Sequence, residues 1–428
     1  MKTAPSSAYL PAALLASTLA LPSSGLAFAE VARGSLTLTT TGSVAYDTNL
    51  SGNTNKIDDT VFTLAPTLNY SREVGLGTIE ASLGSAIHRY LDLSDLDSED
   101  LFANLAVSLP TPEGARQKGG FNATYADRTD IDETVGSRVR AKTWSASFSG
   151  TYRAGPRTDL RSSLSYNDTT RDTFADTTRW AAGIGFDYSD FLGGFGLEGD
   201  YRYANTDSTS FTSGVDTSLD QSSHHVSSGL FYKFVSGLRA SVDAGYRWID
   251  RGANEVPGDK SGDSMTFSLR LDGPFLPASR FPKLRSSFAI GLEKGETLGL
   301  NDTGSTTVVG NLSLAWQARD RTAVTFTAAR SQGLSSANLS SIDNSIQLGA
   351  TQAIGLKTSL SGTVSQHWSS YPGTGRSDKR TRASANLGYA LNQYWQFGTS
   401  YAYTLSRSSN DFLDYDRHLV SAFASFKF

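Results

Sequence analysis

The chain has 428 residues, with 38 lysines and arginines against 42 aspartates and glutamates, so its formal net charge is only −4. A net charge this small gives no strong field that would favour nucleic acid as a partner. Cysteine is absent, which excludes a disulfide framework and thiol chemistry and leaves histidine and carboxylates as the candidate metal ligands.

Residues 1–29 have the pattern of a secretory signal peptide. Met1 and Lys2 precede an apolar run over residues 12–21, and the small-x-small triplet of residues 27–29 ends the segment. The run is too short to cross ~30 Å of hydrocarbon. We therefore predict cleavage after Ala29, which leaves a single domain over residues 30–428.

From Gly34 onward the sequence is a series of segments with period-2 alternation. In the segment 238–248 the even-numbered residues are apolar or aromatic, whereas the odd-numbered ones are arginine, serine, aspartate and glycine. Successive side chains of a strand point to opposite faces, so the charges share the face away from the aromatic residues. Charges inside and apolar residues outside are the inverse of a soluble core and are typical of a transmembrane β-barrel.

Turns give the topology. Short turns at residues 154–157, 190–194, 235–237, 318–321 and 353–356 alternate with long polar loops. We predict an all-β fold, a transmembrane antiparallel up-and-down β-barrel of about twenty strands, with eighteen as the alternative and both termini in the periplasm. The weakest stretch is 271–285, whose three prolines indicate either an unusual turn or a broken strand.

Aromatic residues fall near the predicted strand ends on the outward parity, as in the two girdles of a membrane barrel. The long-loop girdle consists of Tyr46, Trp180, Tyr246, Trp248, Trp368, Tyr401 and Tyr403, and the short-turn girdle of Tyr70, Tyr152, Tyr188, Trp316 and Trp395.

The last strand ends in Phe426 and Phe428, which resemble the terminal-aromatic signal by which the barrel-assembly machinery recognises its substrates. This strand should close the barrel by pairing with the first strand near Leu36, Leu38 and Val44. The predicted location is the outer membrane of a Gram-negative bacterium.

Three stretches near the mature N-terminus, residues 42–53, 61–71 and 77–92, carry a family resemblance. Tyr46, Asp47 and Asn49 and the pair Arg89 and Tyr90 are its most recognisable elements. They resemble the opening of a family of bacterial β-barrel porins, the β-barrel porin 2 type, which often accompany genes for exopolysaccharide biosynthesis and export. The resemblance extends over most of the mature chain. It implies an outer-membrane barrel with a role in polysaccharide export.

Charged residues on the lumen parity are the candidate pore lining, and basic ones slightly outnumber acidic ones. Rings of such charges set ion selectivity in pores, or they pair across strands and stiffen the wall. The set comprises Glu80, Arg161, Arg179, Glu198, Asp200, Arg202, Lys233, Arg239, Asp243, Arg247, Arg270, Asp272, Arg285, Glu293, Lys357 and Arg382. Three lumen aromatics, Tyr90, Phe102 and Phe231, are candidates for stacking on sugars or for capping the lumen near its rim.

We predict no catalytic residue, cofactor site or metal site. The five histidines stand in no nucleophile motif, and the adjacent His224 and His225 must face opposite sides of the wall. The acidic loop 92–100 offers oxygen ligands for Ca²⁺, but its spacing is not that of an EF-hand. The favoured interpretation is a solvated extracellular loop, bridged by divalent ions to lipopolysaccharide phosphates, because runs of charge usually face solvent.

The predicted function is a passive, porin-like channel for solutes, with polysaccharide or its fragments as candidates. Only residues 30–33 precede the first strand, so we expect no N-terminal plug, and any constriction should come from folded-in loops at 205–220 or 127–138. The alternatives are a non-conducting structural or adhesive barrel and a surface hydrolase that depends on His88 or His225. The expected partners are outer-membrane lipid and lipopolysaccharide, the barrel-assembly machinery, polysaccharide and periplasmic export components.

Overall fold

The computed structural model describes residues 29–31, 33–75, 77–109, 115–132, 137–173, 175–212, 215–251, 262–276, 281, 283–295, 306–334, 340–372 and 374–428. The predicted signal peptide lies outside these residues, apart from Ala29. Within the described part, helical structure is confined to two 3-10 turns, Ser94–Leu96 and Asp411–Leu413, and no helix there has the length and apolar character needed to cross a membrane.

Twenty long strands, β2 to β21, form one closed antiparallel barrel, which confirms the predicted fold and strand number. A short strand β1, Ala29–Val31, precedes them. The long strands are β2 Gly34–Asp47, β3 Asp59–Val74, β4 Gly77–Tyr90, β5 Ser98–Leu109, β6 Gln117–Asp132, β7 Ser137–Arg153, β8 Thr158–Arg171, β9 Asp176–Leu192, β10 Phe195–Thr212, β11 Val215–Lys233, β12 Arg239–Arg251, β13 Gly262–Asp272, β14 Leu284–Gly295, β15 Thr306–Arg319, β16 Thr322–Leu334, β17 Ser340–Ile354, β18 Thr358–Tyr371, β19 Arg376–Ala390, β20 Trp395–Ser408 and β21 Tyr415–Lys427.

The barrel closes where β21 pairs with β2. Val44 lies opposite Ala422, and the backbone groups of Leu38 and Phe428 exchange hydrogen bonds of 2.9 and 2.8 Å. Leu36 is different, because it pairs with Ala29 of β1. The predicted closure is therefore confirmed at Leu38 and Val44, whereas β1 takes the place of the last strand at Leu36.

The five predicted short turns are confirmed, and all lie at one end of the barrel, which we call the short-turn end. The turn after β9 uses Gly193 and Gly194, both with positive φ, which glycine adopts without steric cost. The proline-rich stretch is a connection between strands, because β13 ends at Asp272 and β14 begins at Leu284. The opposite end is called the long-loop end.

The wall has an apolar outer face and a charged inner face, as the alternation predicts. On β12, Val242 is 60 % exposed and points outward, whereas its neighbour Asp243 is only 6 % exposed and points inward. The outer face carries both aromatic girdles: Tyr46 and Trp180 lie near the long-loop end, and Tyr152 and Trp395 near the short-turn end. A transmembrane barrel presents such a face to lipid.

Two stretches predicted as constricting loops are strand pairs instead. Residues 205–220 continue the ladder of β10 and β11 up to the pair Thr212 and Val215, and residues 127–138 continue β6 and β7 up to the pair Asp132 and Ser137. The prediction was wrong because apolar alternation marks a strand only where one face is buried or in lipid. Where these strands extend past the lipid, both of their faces are polar. The apolar alternation therefore ends in the sequence, while the backbone pairing continues.

Candidate functional site: the barrel lumen

An ion-pair network on the inner wall brings several predicted pore-lining residues together near the short-turn end. Glu198 of β10 is its centre and is 1 % exposed. It accepts from Arg239 of β12 at 2.5 Å and from Arg270 of β13 at 2.8 Å. Arg270 also pairs with Asp243 at 2.8 Å. A buried carboxylate of this kind is tolerated because two guanidinium groups neutralise it.

The network continues along the wall to β8. Arg161 pairs with Asp200 at 2.9 Å and with Asp187 at 3.3 Å, and Arg239 reaches Asp187 at 3.3 Å. Asp187 was missing from the predicted pore lining. Its parity could have identified it, because it lies on β9 between the outward-facing Phe186 and Tyr188.

Depth does not separate the two signs of charge in this network. The side chains of Arg161 and Arg239 are 27 % and 24 % exposed, and that of Asp200 is 26 % exposed. Those of Arg270, Glu198 and Asp243 are only 12 %, 2 % and 8 % exposed. Both signs of charge therefore reach the lumen surface in this half of the barrel.

A group of basic residues on the inner wall lies farther from the short turns than the ion-pair network. Arg202, His225 and Arg247 are direct cross-strand neighbours on β10, β11 and β12. Arg179 and Arg202 both lie close enough to Arg247 for their positive charges to repel it. Glu293 of β14 forms an ion pair with Arg247.

The other predicted pore-lining residues lie beside the network or on other parts of the wall. Lys233 has its ammonium group 5.3 Å from the ring centre of Phe231, and Lys357 donates to the backbone of Leu391 at 2.9 Å. Asp272 stands opposite Arg239 in the strand register. The remaining three, Glu80 on β4, Arg285 on β14 and Arg382 on β19, are on separate parts of the wall.

Two of the three lumen aromatics, Phe231 and Phe102, lie against glycines of the wall. Phe231 is 1 % exposed, because it covers Gly196 on one side and the guanidinium carbon of Arg239 lies 3.9 Å above its ring centre on the other. Phe102 similarly covers Gly84. The interpretation of Phe231 as a sugar platform is therefore wrong, since neither face of its ring is free.

At the long-loop end, the loop of residues 48–58 is folded around Asn49, which is fully buried. The side chain of Asn49 donates to the carbonyl of Asn53 at 2.9 Å and accepts from Ser51 and from the backbone of Gly52 at 2.8 and 3.0 Å. Its backbone N–H donates to Asp47 at 3.0 Å. The side chain thus satisfies backbone groups that the loop would otherwise leave unpaired.

This loop bridges distant parts of the rim. The backbone N–H of Thr54 donates to Phe412, beside β21, at 3.2 Å, while Gly52 lies so close to Ile131 of β6 that an added Cβ would overlap the Ile131 side chain. Four strand intervals separate β2 from β6. A loop that contacts both sites crosses part of the opening at the long-loop end.

Two of the histidines form hydrogen-bonded groups with a hydroxyl and a carboxylate. His88 contacts Thr63 at 2.9 Å and Asp100 at 3.6 Å through different ring nitrogens, and Thr63 is its direct cross-strand neighbour. In another group, Nε2 of His367 faces both Ser369 and Asp343, and the Ser369 hydroxyl donates to Asp343. A triad needs the serine and the carboxylate on different nitrogens, so this second arrangement has the wrong geometry.

Carboxylates of the acidic loop 92–100 bind protein groups. Asp97 accepts from the backbone of Tyr90 at 2.9 Å, and Glu99 pairs with Arg89 at 2.7 Å. No group of three or more histidine and carboxylate side chains in the described part of the chain is arranged to hold a metal ion.

One protein family matches part of the sequence. The family model described as "Putative beta-barrel porin 2" matches residues 302–428, which contain β15 to β21. The C-terminal part of the chain is similar to this porin family. The match confirms the resemblance seen in the sequence, although the stretches that first indicated it, residues 42–92, lie outside the matched segment.

Solved structures share the fold at low sequence identity. The ferric-catecholate import receptor Fiu from E. coli K12 is 10 % identical, with 92 % of this chain and 81 % of that chain covered and a TM-score of 0.52. The ferric citrate transporter FecA is 10 % identical, with 91 % and 78 % covered and a TM-score of 0.50. The outer membrane protein opdK from Pseudomonas aeruginosa is 13 % identical, with 92 % and 99 % covered and a TM-score of 0.37. No protein of curated function matches the sequence.

This chain has the fold of outer-membrane β-barrel proteins.

Proposed function

We propose that this protein is a passive outer-membrane channel whose lumen favours anionic solutes. The observation that carries the proposal is the basic group on the inner wall, where the positive charges of Arg179, Arg202 and Arg247 lie close enough to repel one another. Exposed cations lower the energy of an anion in the pore and raise that of a cation, since rings of one sign set selectivity. A barrel of this strand number is also wide enough for an aqueous interior.

In the proposed orientation, both termini lie in the periplasm and the long-loop end faces the cell exterior. The support is that long loops such as residues 48–58 and extended strand pairs such as β10 and β11 lie at one end, while most turns at the other end are short. Bacterial barrels have short periplasmic turns and longer extracellular parts. The loop of residues 48–58 then narrows the outer mouth. Solute would move down its own concentration gradient through the remaining opening.

Acidic polysaccharide or its fragments are the proposed solutes. Two features support them: the similarity to a porin family and the positive lumen surface, which suits uronate or other carboxylate-bearing sugars by charge. Only the similarity to the porin family bears on exopolysaccharide export, because export is what the family resemblance implies. The lumen charge does not depend on that resemblance.

A flux assay with liposomes tests the proposal. The refolded barrel is inserted into vesicles, and swelling is compared for neutral and uronate-containing oligosaccharides of matched size. We expect the acidic sugar to enter faster than the neutral one. Equal rates would contradict the anion preference, and rates no greater than those of empty vesicles would contradict the channel itself.

A non-conducting structural or adhesive barrel is the second candidate. The specific observation in its favour is the ordered loop of residues 48–58, which bridges the rim between Phe412 and Ile131. If that loop closes the mouth completely, the protein will display its long-loop end without transporting solute. The absence of swelling together with a normally folded barrel would favour this candidate.

A further inference from the structure

A row of basic residues crosses the outer face of the barrel near the long-loop end. Arg330, Asn344, Trp368, Lys379 and Arg407 lie on five successive strands, β16 to β20, and each is the direct cross-strand partner of the next. Directly opposed residues of an antiparallel sheet point to the same side. We call these five residues the outer basic row.

The outer basic row faces away from the lumen. Leu348, Val364 and Leu387, which lie on β17, β18 and β19 at the same parity as Asn344, Trp368 and Lys379, are between 45 % and 55 % exposed. This is the apolar face that a transmembrane barrel presents to lipid. The three cations therefore lie on the lipid-facing side, near the boundary between the apolar surface and the long loops.

These three cations have no carboxylate partner among the described residues. Arg330 donates to the carbonyl of Val308 and to the Asn344 side chain, both at 2.8 Å, and Arg407 donates to the carbonyl of Ser406 at 3.1 Å. Asp416 is close enough to Arg407 to interact with its charge, but its carboxylate pairs with Lys56 at 2.7 Å.

Other outward arginines at the same end are neutralised within the protein. Arg89 pairs with Glu99 at 2.7 Å, and Arg140 pairs with Asp127 at 2.8 Å. The cations of the outer basic row therefore differ from these two arginines, which are paired with carboxylates. A lysine or arginine near a membrane surface attracts anionic lipid, so the row offers positive charge to anions from outside the chain.

A surface groove lies beside the row. It has a volume of about 400 Å³ and is lined by Asn344, Trp368, Lys379 and Arg407, with serines of β18 to β20 and Ser409 around them. Asp378 also lines the groove, and its carboxylate is neutralised by Arg376 at 2.6 Å. Tryptophan anchors barrels at the level of lipid headgroups, while arginine and lysine are the usual ligands of phosphate. The groove thus combines headgroup depth with phosphate-binding chemistry.

We propose that the outer basic row binds the phosphate groups of a phosphorylated glycolipid in the outer leaflet, of the lipid A type. Lys379 and Arg407 are adjacent and bind one phosphate, Arg330 binds a second, and Trp368 lies between them at the sugar backbone. The acyl chains follow the apolar surface of β16 to β20 below the row. In the cell this depends on the long-loop end facing outward, as in the proposed function, but it does not depend on conductance.

Binding of purified lipid A to the complete folded barrel in detergent tests the proposal. Native mass spectrometry gives the number of lipid A molecules bound, and a titration gives the affinity. In the triple variant R330Q/K379Q/R407Q we expect the affinity to fall about 100-fold, since each cation near an anionic lipid contributes about a factor of five. We also expect dephosphorylated lipid A to bind the unmodified protein as weakly as lipid A binds the variant.

The matched control is R116Q/R157Q/K283Q, which removes three positive charges from short-turn connections instead. It should leave the affinity for lipid A within about twofold of the unmodified value, because those side chains lie at the opposite end of the barrel. The conservative variant K379R should retain binding, since it keeps the charge. The change in gel mobility on heating shows that each variant is folded, and K379Q alone replaces the triple variant if the latter does not fold.

Three results would overturn the proposal. The first is equal lipid A affinity in the unmodified protein and the folded outer-row variant. The second is equal binding of phosphorylated and dephosphorylated lipid A. The third is complete displacement of lipid A by millimolar inorganic phosphate, which would indicate a site for free phosphate. Since the measurement is made in detergent, these results are independent of the liposome flux assay.

Discussion

Arg417 donates from its Nε to both carboxylate oxygens of Asp47 at 2.9 Å, across the seam where the last strand meets the first. Asp47 is 1 % exposed, and the backbone of Asn49 also donates to it. One carboxylate therefore joins two parts of the structure, the closed barrel wall and the loop that crosses the long-loop opening.

Breaking this ion pair should weaken barrel closure. In Asp47→Asn, the Arg417 guanidinium loses its charged partner, and removal of one partner of a buried pair costs about 3 to 5 kcal/mol. We expect the variant to lose its compact gel mobility at a lower temperature than the unmodified protein. Lys56→Gln is the control, since it breaks the exposed Lys56–Asp416 pair, worth less than about 1 kcal/mol. Equal unfolding temperatures for the two variants would be evidence against a role for the seam.

The strands of the barrel could be predicted from the sequence because a strand with one face in lipid alternates apolar and polar residues. Val242 and Asp243 differ in exposure by 54 percentage points, and their alternation is visible in the sequence. The same rule could have placed Asp187 in the lumen. It could not predict that residues 205–220 are paired strands, because those residues have no apolar face to mark them.

The contacts within the lumen could not be predicted from parity, because parity gives the side of the wall and not the depth. Phe231 was correctly placed on the lumen side, but its burial depends on Arg239, which folds over its ring. Similarly, the sequence identifies Asn49 only as an element of the family resemblance. Its role in folding the loop depends on partners that only the structure identifies.

The charge of individual lumen residues should set the selectivity of the channel. Arg161 is among the most exposed cations of the ion-pair network, so Arg161→Gln should lower the permeability ratio of anion to cation by about two- to fivefold, since a charge at 4 Å in water contributes about 1 kcal/mol. Asp200→Asn removes the opposite charge from the same ion pair and should raise that ratio. Reversal potentials in a salt gradient measure both effects. Shifts in the same direction would contradict the proposed lining.

The loop of residues 48–58 should limit conductance. In Asn49→Ala the loop loses the side chain that binds Asn53, Ser51 and Gly52, so it should leave the opening and increase the single-channel conductance. Asn55→Ala is the matched control, because the exposed Asn55 makes its contacts through its backbone. If both variants keep the original conductance, the loop does not form the constriction.

The contact between Phe231 and Gly196 should be essential for packing of the inner wall. A Cβ at residue 196 would overlap the Phe231 ring, so Gly196→Ala should cost about 1 to 3 kcal/mol of folding free energy, the usual cost of overpacking. Gly42→Ala adds the same methyl group on β2 where no atom lies within 4 Å, and it should be close to neutral. Urea unfolding followed by tryptophan fluorescence compares the two. Equal losses of stability would argue against the packing role of Phe231.

Recording single channels in planar lipid bilayers, with a potassium chloride gradient across the membrane, tests the central claim most directly. We expect discrete conductance steps and a reversal potential of the sign that marks chloride as the more permeant ion, because Arg179, Arg202 and Arg247 place adjacent positive charges on the inner wall. A folded barrel that produces no steps at any voltage, or a reversal potential that marks potassium as more permeant, would contradict the account.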